Sequence, residues 1–79
     1  MNEEQLRFKM EVLSFEGPLD LLLAIVNKNK MSIYDIEISL LFEQYMEYIR
    51  QLETEDMNVM SEFLLMAATL LDIKCKMLL

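Results

Sequence analysis

Residues 6–12 alternate strictly, with Leu6, Phe8, Met10 and Val12 apolar and Arg7, Lys9 and Glu11 charged. A period of two predicts an extended strand with one buried face. A lone strand leaves its backbone groups without a ladder, so residues 1–14 read as a segment that pairs outside the chain or lies over helices. Phe15-Glu16-Gly17-Pro18 ends that run. Pro18 suits a first helical position, where its missing N–H has no intrahelical partner, and Asp20 meets the positive end of the dipole. Leu19, Leu21, Leu22, Leu23, Ile25 and Val26 surround most of the circumference and predict a largely buried helix over 18–28. It stops in the polar run Asn27-Lys28-Asn29-Lys30.

Ser32-Ile33-Tyr34-Asp35 offers a capping-box-like start, whereas Ile36-Glu37-Ile38 reads as extended. From Ser39 the helical period is clear. Ile38, Phe42, Tyr45, Ile49 and Leu52 fall on one face, with Glu43, Gln44, Glu47, Arg50 and Gln51 opposite, predicting a helix over 39–53. Glu53-Thr54-Glu55-Asp56 is an acidic linker, and Asn58 is the expected N-cap of a last helix over 58–79. That helix carries two apolar stripes. One holds Met60, Phe63, Ala67, Leu70 and Met77, interrupted by Lys74; the second holds Leu64, Ala68, Leu71, Cys75 and Leu78. The expected fold is mainly α: a small three-helix domain with a short N-terminal strand and a long C-terminal helix.

A helix packed on two short neighbours hides one broad stripe. Leaving the second in water would forgo roughly 1.5–3 kcal/mol for each large side chain, and would show more apolar surface than monomers tolerate. The pattern therefore predicts that the last helix docks on another protein, most simply a helix or coiled coil of matching heptad spacing. Ala67 and Ala68 allow close approach. Two alternatives stay open: wider wrapping by the other helices and the strand, or burial of the stripe in a homodimer.

Composition narrows the chemistry. The 79 residues include one Gly, one Pro, one Cys and no His. The scarcity of turn formers favours helices. Without His, no His–Cys zinc site or Ser–His–Asp triad can form within the chain. A lone Cys75 excludes an internal disulfide and fits a reducing compartment; in an apolar stripe it is expected to be an inert packed thiol. Fourteen acidic against seven basic residues give a net charge of −7, which opposes binding to nucleic acid or an anionic membrane. No secretory signal is visible in the acidic start Met1-Asn2-Glu3-Glu4-Gln5, and the longest uncharged stretch, Phe63–Leu71, falls short of the ~20 residues of a membrane span. A cytoplasmic protein is expected. Glu43, Glu47, Glu53, Glu55 and Asp56 read as solvated carboxylates, and Tyr34, Tyr45 and Tyr48 as half-buried packing residues. No phosphate-binding loop occurs, so neither enzymatic activity nor a cofactor or metal is expected.

Four ordered segments carry a resemblance: Phe15-Glu16-Gly17-Pro18-Leu19-Asp20-Leu21-Leu22-Leu23, Tyr34-Asp35-Ile36, Gln44-Tyr45-Met46-Glu47-Tyr48-Ile49 and the stretch from Ser61 to Lys74. From about residue 8 the chain closely resembles the N-terminal domain of the segregation and condensation protein A family, the bacterial kleisins. The resemblance implies a subunit of the chromosome condensation complex, working with an SMC ATPase and segregation and condensation protein B, cytoplasmic and nucleoid-associated. It implies that the last helix docks on the SMC neck coiled coil, with Met60, Phe63, Leu64, Ala67, Leu70, Leu71, Lys74 and Leu78 as contact candidates. Glu37 stands between Ile36 and Ile38 where the family commonly shows proline, so the entry into the second helix is expected to differ. The family's middle segment and C-terminal winged-helix domain lie beyond Leu79, which implies a fragment unable to bridge two SMC heads by itself.

Overall fold

The computed structural model describes residue 3 and residues 15–52 and 55–77. The alternating segment at 6–12, and Leu78, lie outside the described residues. Among the described residues three α-helices make the fold: α1 (Pro18–Lys28), α2 (Ile38–Gln51) and α3 (Met57–Met77). The molecule is mainly α, with no strand among the described residues beyond an isolated Ser32–Asp35 bridge. No described helix is long and apolar enough to cross a membrane.

Each helix starts and stops for a local reason. Pro18 opens α1, and the Gly17 carbonyl accepts the first helical bond from Leu21 at 3.2 Å. At the other end Lys30 takes a left-handed φ of 54°. This lets Lys30 N–H donate to the Asn27 carbonyl at 3.1 Å and Met31 N–H donate to the Val26 carbonyl at 3.0 Å. The pair closes the helix as a Schellman motif, with Met31 and Val26 as its apolar contact. Glycine usually occupies the left-handed position because a Cβ there costs about 1–2 kcal/mol. Lys30→Gly is therefore expected to raise stability by about 1 kcal/mol, or about 4–8 °C in the thermal midpoint of a domain this size. An unchanged or lowered midpoint by calorimetry would contradict it.

Between α1 and α2 the chain makes a tight turn, in which Asp35 N–H donates to the Ser32 carbonyl at 3.0 Å and Tyr34 N–H donates to Ser32 Oγ at 3.2 Å. Tyr34, at the tip of this turn, is 99% exposed, unlike the half-buried position expected for it. Glu37 is extended and α2 begins at Ile38. Asp56, not Asn58, caps α3. Its carboxylate accepts from the N–H groups of Asn58 (2.9 Å) and Val59 (3.4 Å), and its carbonyl accepts the first helical bond from Met60. A carboxylate at the positive helix end serves both roles.

The core joins all three helices: Leu21, Leu22, Ile25 and Val26 from α1, Leu41, Tyr45 and Ile49 from α2, and Phe63, Ala67 and Leu70 from α3. Among the described residues no charged side chain is buried. Helix α1 is less enclosed than its composition suggests, since Leu19 and Leu23 face water. Where α1 ends, Asn29 and Gln44 exchange two amide hydrogen bonds of 2.8 and 2.9 Å, tying the α1–α2 junction to the middle of α2.

Candidate functional site

The two apolar stripes of α3 separate in space as far as Leu70, whereas Met77 at the end of the first is 66% exposed. Phe63, Ala67 and Leu70 point inward and are buried, while Met60 and Lys74 are half-buried at the margin. Lys74 carries its ammonium 5.4 Å from the centre of the Phe42 ring, a cation–π contact that lets a charged residue end an inward stripe. One position further along the helix, about 100° around it, lie Leu64 and Leu71, still 49% and 47% exposed, together with exposed Ala68 and Cys75. Cys75 is thus a solvent-facing thiol rather than the packed one expected, because it belongs to this outward stripe.

What sets this orientation is partly polar. Tyr45 is fully buried, and its hydroxyl donates to the Phe63 carbonyl at 2.7 Å. Burial pushes the Tyr45 hydroxyl well above the ordinary tyrosine value of about 10, so it remains a donor. Above about pH 10 the unfolded chain gives up this proton and the folded chain keeps it, so the stability linked to Tyr45 is full below that pH and falls above it. Tyr45→Phe is expected to cost about 1 kcal/mol near neutral pH. It should also flatten the fall in the urea midpoint between about pH 9 and 11. Equal alkaline slopes for both proteins would contradict the assignment.

The outward stripe is continued toward the start of α3 by Met57, 75% exposed, and Ser61. Met57, Leu64 and Leu71 are spaced by seven, as are Ser61, Ala68 and Cys75, and the two series interleave in steps of four and three. That is the a/d spacing of a coiled-coil seam. Covering the exposed halves of Leu64 and Leu71 would contribute about 1 kcal/mol each. At the far end of α3 an open groove of about 600 Å³ separates Lys74 and Met77 from the first turn of α2, with Glu37 and Glu43 on its wall.

Of the eight residues expected to meet a partner, Leu64 and Leu71 are exposed, Met60 and Lys74 are half-buried, Phe63, Ala67 and Leu70 hold α3 to the core, and Leu78 lies outside the described residues. Met57, Ser61, Ala68 and Cys75 are not among those eight, although their seven-residue spacing puts them on the seam. Elsewhere the acidic residues are spread over the surface. Glu47 accepts from Arg50 (3.2 Å) and Gln51 (3.1 Å), and no three described His, Cys, Asp or Glu residues stand close enough to hold a metal ion.

Residues 25–79 match the family model described as Segregation and condensation protein ScpA. The chain is 58% identical over 71 residues to Segregation and condensation protein A of Thermoanaerobacter sp. (strain X514), covering 90% of this chain and 28% of that protein. It is 51% identical over 72 residues to the protein of the same name from Halalkalibacterium halodurans, covering 91% and 28%. With the Bacillus pumilus protein of that name it shares 47% over 74 residues, covering 94% and 29%. The chain spans little more than a quarter of the length of these relatives. A match of this extent, running through both stripes of α3 and the core that orients them, makes the chain a member of the Segregation and condensation protein ScpA family.

Proposed function

We propose that this chain is the N-terminal helical domain of a non-enzymatic kleisin subunit that serves chromosome condensation and segregation, and that it docks α3 on the neck coiled coil of an SMC protein. The outward seam carries this reading. A coiled coil extends α3 at the spacing its exposed residues already have, and Leu64, Ala68, Leu71 and Cys75 are free to meet it. The names of the relatives support the process: each is called a segregation and condensation protein. Phe63, Ala67 and Leu70 serve docking from behind, by holding the seam outward, while Met60 and Lys74 flank it. Segregation and condensation protein B would engage other regions of a full-length kleisin, and the complex would act at the nucleoid in the cytoplasm. Nothing in the proposal calls for direct contact with nucleic acid or for a cofactor.

The test is size-exclusion chromatography of this chain with a cognate SMC head-plus-neck fragment. Co-elution at one-to-one stoichiometry supports docking. Separate elution, with both partners folded by circular dichroism, overturns it.

A further inference from the structure

The two lines of the seam differ in size. Met57, Leu64 and Leu71 are large, whereas Ser61, Ala68 and Cys75 are small. In a parallel pair of identical helices each line meets itself, so oversized layers alternate with hollow ones. In an antiparallel pair each line meets the other. Pairing two copies about the level of Met66 sets Met57 opposite Cys75, Ser61 opposite Leu71 and Leu64 opposite Ala68, so every layer holds one large and one small side chain. Uniform layers fill space without voids or strain.

The flanks agree with the same arrangement. Leu65, 71% exposed with no role in the core, would meet its own copy beside the symmetry axis. Asp72 would face Asn58, and Lys74 would face Met60, so no like charges meet. A two-fold pairing of one patch with itself closes as a dimer.

We propose that the outward face of α3 is a self-association surface, and that free copies of this chain pair there as an antiparallel two-helix coiled coil centred at Met66. The pairing uses the face assigned above to SMC docking, so the two are mutually exclusive. A dimer would shield the seam until a helical partner displaces one copy. The pairing itself needs no SMC protein and stands apart from that reading.

The native cysteine gives a direct test. In the antiparallel register the two Cys75 thiols lie at opposite ends of the interface, but each sits opposite Met57 of the other copy. Met57→Cys should therefore form a covalent dimer on mild oxidation, resolved on a non-reducing gel, while the unaltered chain does not. Within one chain α3 holds the two positions about 27 Å apart, so no internal bridge competes. Adding Leu64→Lys should slow the cross-link about tenfold, since it removes a central apolar contact. Sedimentation of the unaltered chain should show a concentration-dependent dimer. Faster cross-linking of the unaltered chain than of Met57→Cys would overturn the antiparallel register. A monomer at all concentrations without cross-linking would overturn the pairing. Absent cross-linking beside intact SMC co-elution counts against this pairing alone, and the reverse result against the docking proposal alone.

Discussion

A chain carrying both Leu64→Lys and Leu71→Lys is expected to elute apart from an SMC head-plus-neck fragment while keeping its own fold. Both side chains are about half exposed, so lysine at either site can place its ammonium in water and its stem along the helix. Folding should change by no more than about 0.5 kcal/mol per site. In the docked state the same ammonium groups would lie in an apolar seam, and two leucine contacts would be lost. At roughly 2 kcal/mol or more for each central residue, the affinity falls about a thousandfold. Glu62→Lys, on the opposite side of α3, is the matched control and should leave co-elution intact. Co-elution of the double variant at unchanged stoichiometry would remove the seam from consideration.

The second large effect lies on the inner side of the same helix. Phe63 is buried among residues of all three helices, and its carbonyl receives the Tyr45 hydroxyl. Phe63→Ala is expected to cost about 3–5 kcal/mol, through lost burial and the cavity left behind. A domain of this size rarely has more than about 3–5 kcal/mol in total. The variant should therefore lose its cooperative melting transition in circular dichroism at room temperature, or shift it below ambient. Such a variant would also fail to bind a partner, but through unfolding. A sharp transition within a few degrees of the unaltered chain would show that Phe63 is not the keystone of the α2–α3 contact.

The contrast between these neighbours explains what the sequence can tell. Periodicity places all three helices and both stripes of α3, because period and capping are local signals. It does not say which stripe faces inward. Phe63 and Leu64, Ala67 and Ala68, and Leu70 and Leu71 are close equivalents in apolar content, so hydrophobicity barely separates the two orientations. The structure separates them through the hydroxyl of Tyr45, eighteen residues away from Phe63, and through Phe42 beneath Lys74. These are long-range contacts with no signature in a window of neighbouring residues. The αL turn at Lys30 is hidden for a different reason: its usual marker is glycine, and the only glycine in the chain is Gly17. Asp56 is masked as a cap because it belongs to an acidic run that reads as linker. Its role depends on where the first helical turn begins, and periodicity fixes that only to within a residue or two.

The paired amides of Asn29 and Gln44 carry an evolutionary consequence. Each gives one hydrogen bond to the other and takes one back in a partly buried place, and Asn29 also donates to the Ile25 carbonyl at 2.8 Å. Altering either residue alone would strand the remaining amide at a cost of about 1–3 kcal/mol, whereas exchanging both for a matched apolar pair could be nearly neutral. Mutational drift should consequently move these two sites in step, with lineages that change one sooner or later changing its mate.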